Sequence, residues 1–385
     1  MTLQSNASAG REVHEGKATL SLPPQGAGSV FYNPRMSLNR DIAVLFVSSY
    51  FPGWRQLRIC DTMTGSGVRA VRYVLECSNV TNVVAVDREP ETVETARETI
   101  RLNGLEGKIS PVTSDANLLL LNHLSERFDL VDLDPFGSPA PFFESALRAT
   151  ADGGILAATA TDMGPLTGAR PAACLRKYGV RPVRTEFEKE MAVRILASCL
   201  ATIAGRLELG IRIVFAHASD HYARIYVSIL TGKTSANEST DMLGFLEYCP
   251  SCLMRNATKS LESISAVCGN CGSKTKMGGS IWLGPLWDGA TVQTMVQRTP
   301  TLLSSRLTEI QNLLSCVEEE WDAPAFHYRT DAIAQRFGMK PPAIRKVLSV
   351  LRENSYQAAR THFHPNGFRT NAPTREITSL LRNSA

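Results

Sequence analysis

Up to about Gly232, short β-branched runs alternate with longer stretches in which apolar residues recur every three or four positions. That alternation predicts an α/β domain whose parallel strands are joined by helical crossovers. The strand candidates are Leu57–Asp61, Val83–Asp87, Phe128–Asp134, Gly154–Ala160, Ile211–His217 and Ala223–Leu230. Helical patterns lie between them, notably Pro90–Asn103 and Glu186–Leu207. In the first of these, Val93, Ala96, Ile100 and Leu102 separate from Glu91, Glu94, Arg97 and Glu98.

Beyond Gly232 the pattern changes. Thr231–Asp241 is polar and small, reading as a linker, and a cysteine-bearing, glycine-rich stretch follows to about Asp288. The tail turns helical over Val292–Trp321, Thr330–Phe337 and Pro341–Asn354. The last two, broken by Gly338-Met339-Lys340, have the spacing of a helix–turn–helix nucleic-acid reader, a spacing shared with ordinary packing pairs.

Composition narrows the class. A chain of 385 residues exceeds one core of usual size, and 43% hydrophobic with 20% charged residues is ordinary for a globular protein. No apolar run approaches the ~18 residues of a membrane span. Met1–Gly10 is polar and lacks a signal core, so a cytoplasmic location is expected. Charge is uneven: from Ala323 to Ala385 there are ten Lys/Arg against three Asp/Glu, while the rest is slightly acidic. A basic tail suits a polyanion, although a solvated helical surface gives the same count.

Nine cysteines in a cytoplasmic chain do not make a disulfide framework. Cys60, Cys77, Cys174, Cys199 and Cys316 are scattered and read as buried thiols. Cys249-x2-Cys252 and Cys268-x2-Cys271, fifteen residues apart, have structural zinc spacing. Four thiolates leave no open coordination position, so this metal would be structural.

The chemistry concentrates at strand ends. Leu57–Asp61 runs into Thr62-Met63-Thr64-Gly65-Ser66-Gly67-Val68-Arg69-Ala70, a strand, tight turn and helix start. Gly65-x-Gly67-x-x-Ala70 also meets the dinucleotide fingerprint. Asp61, four residues ahead of the glycines, suits a cationic amino-acid cofactor better than a pyrophosphate. Asp87 is placed for ribose hydroxyls, and Asp115 in Ser114-Asp115-Ala116 for an adenine amino group. Helix N-capping is the alternative role for any one of these acids. Taken together they favour S-adenosylmethionine over a nicotinamide dinucleotide.

Asp134-Pro135-Phe136-Gly137 supplies the second half of such a reaction. An exocyclic nucleobase amine is a poor nucleophile because its lone pair is delocalised. A carboxylate and a backbone carbonyl can accept both amine hydrogens while an aromatic ring stacks on the base. The tetrad therefore suggests amino-group methylation, of guanine or of adenine. A transcription-factor reading of the cysteines and tail helices leaves Asp61 to Asp134 without a purpose.

With other blocks these residues resemble the tRNA (guanine-26-N2)-dimethyltransferase family. The blocks are Val30-Phe31-Tyr32-Asn33-Pro34-Arg35-Met36-Ser37-Leu38-Asn39-Arg40-Asp41, Asp61 to Arg69, Asp132 to Pro139, Ala160-Thr161-Asp162, Leu175 to Gly179, Asp220-His221-Tyr222-Ala223-Arg224 and Arg360-Thr361-His362-Phe363. They run in the family's order from about Val13 to Pro373. The resemblance implies a Rossmann-like class I methyltransferase domain followed by a smaller α+β C-terminal domain with a zinc-ribbon-like insert. The expected division is 1–29 extension, 30–232 methyltransferase domain, 233–288 zinc-binding segment and 289–385 basic tRNA-binding region.

The activity implied is transfer of one or two methyl groups from S-adenosylmethionine to N2 of guanosine 26 in tRNA, position 27 being left open. By the resemblance Arg40, Arg69, Asp87, Asp115 and Ala116 bind the cofactor, beside Asp61, Gly65 and Gly67 of the loop. Asp134, with Pro135, holds the guanine amine, and Phe136 stacks on the base alongside Phe31 or Tyr32. Cys249, Cys252, Cys268 and Cys271 hold zinc, and tRNA is the partner, with no membrane and no obligate protein partner.

Overall fold

The computed structural model describes residues 11–22, 32–219 and 221–383. The chain forms two compact units. The first holds the described residues up to Asp134 with Glu144–Ala157 and Gln293–Gln311; the second holds Pro135–Phe143, Ala158–Val292 and the described residues from Asn312.

The first unit opens on an antiparallel hairpin, β1 (Arg11–Glu15) and β2 (Ala18–Leu22), followed by α1 (Ser37–Tyr50). Strands and helices then alternate: β3 (Leu57–Asp61), α2 (Val68–Glu76), β4 (Val80–Asp87), α3 (Pro90–Leu102), β5 (Ile109–Thr113), α4 (Ala116–Asn122), β6 (Phe128–Leu133), α5 (Phe143–Ala149) and β7 (Thr150–Ala160). With β8 (Leu209–Ala218) and β9 (Ala223–Thr231) they complete a seven-stranded sheet of order β5-β4-β3-β6-β7-β9-β8. β3 pairs in parallel with both β4 and β6, and β8 with β9 antiparallel. Strand order reverses between β3 and β6, so a crevice opens at their C-terminal ends, where open α/β sheets bind ligands. Ile59, Cys60, Val83 to Val86, Leu130, Val131 and Leu133 are all buried, as strands covered on both faces require.

In the second unit α6 (Met163–Leu166) and α7 (Pro171–Tyr178) precede the long buried α8 (Glu188–Arg206), which packs on β8 and β9. The small polar stretch read as a linker forms α9 (Lys233–Thr240) instead. Its Ser239 hydroxyl donates to the Ile211 carbonyl and accepts from the Ile211 amide, so the helix is stitched to β8. The glycine-rich stretch forms a three-stranded sheet of β10 (Leu243–Tyr248), β11 (Arg255–Thr258) and β12 (Lys276–Trp282), with β10 central.

The tail departs from the sequence pattern in one respect. Val292–Trp321 is not one helix but two, α10 (Gly289–Arg298) and α11 (Leu307–Glu320). Pro300 lies in a short 3-10 turn between them, where its missing N–H and fixed φ end the α-helical ladder. Then come β13 (Tyr328–Arg329), α12 (Thr330–Phe337), α13 (Ile344–Glu353), β14 (Ala358–Arg360), β15 (Gly367–Thr370) and α14 (Thr374–Asn383). A fully buried ion network anchors this tail to α8. Glu190 accepts from Arg194, from His327 and from Arg369, while Glu320 accepts from Arg369 and His362.

Candidate active site

The turn after β3 is held open by backbone rather than side chains. Gly67 adopts a left-handed φ of 78°, and a Cβ there would lie 3.2 Å from the Ala96 backbone in α3. Both conformation and space therefore demand glycine. The Thr64 N–H donates to the Val86 carbonyl at 2.8 Å, and the Gly65 N–H to Asp87 Oδ2 at 3.2 Å. The loop is thus pinned to the end of β4, with Asp87 as the pin.

Asp61 closes β3 and stands in register with Asp132 on β6. Both are buried, so two carboxylates lie side by side at the reversal point. Burial, reinforced by Asp132 and Asp134 and opposed by Arg69, pushes Asp61 up to about 7. Its one described donor is the Thr64 hydroxyl, at 2.9 Å.

Arg69, in the first turn of α2, reaches back to the acids at the end of β6. It pairs with Asp132 at 3.4 Å and more closely with Asp134, and donates to Asn39 Oδ1 at 3.0 Å. Tyr73, one turn further along α2, donates its hydroxyl to Asp132 at 2.6 Å. The structure therefore sets Arg69 between two carboxylates. Asp134 is the more exposed of these, its side chain 19% accessible against 0% for Asp132.

Arg40 is committed within its own cluster. Its guanidinium forks onto Glu15 with bonds of 2.6 and 2.5 Å, donates to the Asn33 carbonyl and lies over the Tyr32 ring at 5.3 Å. Tyr32 donates its hydroxyl to Glu15 at 2.9 Å. Burial alone would raise Glu15, but its bond to Arg40 and the charges of Arg40 and Arg72 outweigh burial and bring it down to about 2. Arg72 in turn pairs with Glu15, Asp41 and Glu76. Phe31, expected beside Tyr32, lies outside the described residues.

Asp115 caps α4 by accepting from the Leu118 N–H at 3.1 Å, and Ala116 is the first, buried residue of that helix. One residue past Asp134 the chain enters the second unit. There the Gly137 N–H donates to Thr161 Oγ1 at 2.7 Å, and the Thr161 N–H returns a bond to the Gly137 carbonyl at 2.9 Å. This clamp fixes the turn on which the Phe136 ring stands 78% exposed.

The four grouped cysteines sit on two matching knuckles. In each, the fifth residue from the first cysteine bonds back to it: the Leu253 N–H donates to the Cys249 carbonyl, and the Gly272 N–H to the Cys268 carbonyl, both at 2.8 Å. All four Sγ atoms lie within 4.8 Å of one another, two pairs at 3.6 Å. A tetrahedral zinc with Zn–S bonds of about 2.3 Å needs sulfurs about 3.8 Å apart, so the quartet fits that ion.

Glu15, Asn39, Tyr73 and Asp132 escaped the sequence reading. Asp132 had a signal: it precedes Asp134 by two on a strand and so shares its face. Glu15 had none, since 25 residues separate it from Arg40.

The chain matches the family model for N2,N2-dimethylguanosine tRNA methyltransferase over residues 12–382. It is 36% identical to a tRNA (guanine(26)-N(2))-dimethyltransferase of Methanosphaerula palustris, over 96% of this chain and 98% of that one. It is 33% identical to an enzyme of Aquifex aeolicus named for guanines 26 and 27, over 96% of this chain and 95% of that one. A solved structure of Trm1 from Pyrococcus horikoshii with S-adenosyl-L-methionine superposes with a TM-score of 0.86 at 34% identity, covering 96% of this chain and 99% of that one. Fold, length and sequence agree, and the chain belongs to the N2,N2-dimethylguanosine tRNA methyltransferase family.

Proposed function

We propose that this chain transfers methyl groups from S-adenosylmethionine to the exocyclic N2 of guanosine 26 in tRNA, giving N2,N2-dimethylguanosine, in the cytoplasm. The observation that carries the reading is the gathering of acids at the strand ends, with Asp61 buried in register with Asp132 ahead of the glycine turn and Asp134 held by Arg69 just past β6. Asp61 is costly to ionise where it stands, and a positively charged ligand removes that cost. The donor set therefore fits S-adenosylmethionine, which when bound supplies an electrophilic methyl carbon on a cationic sulfur.

The Gly65–Gly67 turn lets backbone approach the cofactor, Asp87 serves its ribose, and Asp115 with Ala116 frames its adenine. Arg40 receives its carboxylate, in the orientation that Glu15 imposes. Asp134 accepts one N2 hydrogen and the Pro135 carbonyl the other, concentrating the lone pair on nitrogen. Arg69, paired with Asp134, holds that carboxylate in place. As N2 bonds to the methyl carbon the methyl–sulfur bond would break, leaving a neutral thioether, and Asp134 takes the proton that N2 sheds. Phe136 stacks on the extruded base with Tyr32 and Phe31, offsetting the few kcal/mol that flipping costs. One hydrogen remains after the first transfer, so the same two acceptors serve a second round. Cys249, Cys252, Cys268 and Cys271 hold a structural zinc.

The test is tritiated S-adenosylmethionine with unmodified tRNA transcript, followed by nucleoside mass spectrometry. Dimethylguanosine at position 26 is the expected product. Methyladenosine, or cofactor binding with no transfer to tRNA, overturns the reading.

A further inference from the structure

The turn that carries Phe136 is tied to a basic stretch of chain. Thr161, clamped to Gly137, is followed by Asp162, whose carboxylate accepts from the Tyr178 hydroxyl at 2.5 Å and from Lys177 Nζ at 2.8 Å. Lys177 and Tyr178 close α7, so the end of that helix is anchored one residue from the clamp. From Met163 to Thr185 the chain carries Arg170, Arg176, Lys177, Arg181 and Arg184 and no Asp or Glu. All five cations are exposed. Packing gathers them. A Cβ at Gly168, left-handed at φ 79°, would lie 3.0 Å from the Arg184 backbone nitrogen, so the strap after α7 returns to the loop that leads into Arg170. The Arg181 backbone exchanges hydrogen bonds with Gly279 at 2.9 and 3.0 Å, which fixes the strap beside β12.

Helix chemistry explains part of this charge. Arg176 and Lys177 sit in the last turn of α7, where cations complement the macrodipole, and Lys177 also has Asp162. Arg170 stands at the N-cap, where a cation opposes the dipole, and Arg181 and Arg184 lie on no helix. Arg170, Arg176, Arg181 and Arg184 have no ion pair and no side-chain hydrogen bond among the described residues. By contrast Lys233, Arg329 and Arg360 of the same unit are matched by Glu208, Asp331 and Glu319. Local structure therefore leaves the strap arginines without a role.

We infer that Arg170, Arg176, Arg181 and Arg184, on α7 and the segments flanking it, hold the RNA phosphates on either side of the nucleotide whose base stacks on Phe136. The inference rests on the tRNA reading above and adds the surface that grips the strand while one base is out. Extruding a base turns its nucleotide about the backbone, so the neighbouring phosphates have to be fixed as the ring leaves the stack. A guanidinium forks onto phosphate oxygens, and no acid within the stretch cancels the field of these four. Such contacts set position and register and carry no preference among bases.

The experiment uses the full-length, zinc-loaded chain carrying Arg181→Ala and Arg184→Ala together. Initial methylation rates are measured against tRNA concentration at several salt concentrations, with tRNA retention on filters as a second readout. Losing two phosphate contacts is expected to raise KM about tenfold at moderate salt and to flatten the log–log salt slope by about 2. kcat should stay within about twofold, because phosphate contacts position the RNA without touching the reacting atoms. The charge-keeping pair Arg181→Lys with Arg184→Lys should recover most of the lost affinity. Arg170→Ala with Arg176→Ala replaces the first pair if the strap unfolds, and should shift KM in the same direction. An unchanged KM and salt slope in a variant that melts like wild type overturns the inference. So does a fall in kcat at unchanged KM, which would mean that the strap only props the Phe136 turn. If the wild-type chain methylates no tRNA, the functional reading fails instead, and filter retention across the salt series then judges the arginines by themselves.

Discussion

Asp61 illustrates how one side chain can couple ligand binding to protons. Between the ordinary value of 3.8 and about 7 the folded chain retains a proton that the unfolded chain has released, so raising the pH through that window costs stability. A cationic ligand beside Asp61 reverses the preference. Cofactor affinity is therefore expected to rise with pH up to about 7, and Asp61→Asn to abolish that dependence; calorimetric titration at several pH values, showing a flat profile in the wild type, would count against it. Asp134 is the other residue on which the proposed reaction turns. Asp134→Asn keeps the shape but loses the proton acceptor, so kcat should drop by about 10²- to 10⁴-fold while cofactor binding persists. Single-turnover rates alongside cofactor titration separate the two. These acids were legible because strand ends in α/β sheets are where ligands bind. The partners of Arg69 and Arg40 were not, since Arg69–Asp134 and Arg40–Glu15 bridge 65 and 25 residues.

At the scale of elements, the strands of the sheet were read from their apolar runs with ends displaced by a few residues, but β8 and β9, expected parallel, pair antiparallel. Phe128–Leu133 and Pro90–Leu102 stop one short of expectation. Leu102, assigned to the apolar face of α3, is 43% exposed, whereas Thr92 and Thr99 fill buried positions. The β1–β2 hairpin, the three-stranded cysteine-bearing sheet and the tail strands β13, β14 and β15 went unseen. They are short or glycine-rich, and only their pairing partners make them strands. The hairpin is nonetheless consequential, because it delivers Glu15. Glu15→Gln leaves Arg40 without its fork, although Arg72 keeps Asp41 and Glu76, and should destabilise the chain by about 3 kcal/mol. Glu15 is depressed in the folded chain, so its contribution is present above 4.5 and lost as pH falls toward about 2. Urea titrations of wild type and variant should therefore draw together as pH falls toward about 2; parallel curves at all pH values would refute this role.

For the whole molecule, the basic tail on a slightly acidic remainder was visible in the charge count, while the β13-β15-β14 sheet within it was visible only once strands had partners. The cysteine quartet was legible from spacing alone, because two thiolates on a tight knuckle are a local geometry. What spacing could not convey is what the quartet supports. Phe337, the last residue of α12, packs against Cys249, Cys252 and Cys268 with Met254. Arg255, at the start of β11, lies 3.7 Å over the Tyr328 ring of β13. The thiolate cluster thus forms part of the floor beneath the domain that begins with β13 and α12. Its unfolding should be cooperative with that domain, metal loss and helix loosening being a single opening event. Chelation is expected to speed amide exchange in α12 together with both knuckles, and mass spectrometry of exchanged peptides would reveal independent openings if the two are uncoupled. An ion held by the quartet would therefore act as a latch on the fold of this region, so that its supply would set how much of the chain stays folded there and leave the strand-end acids as they are.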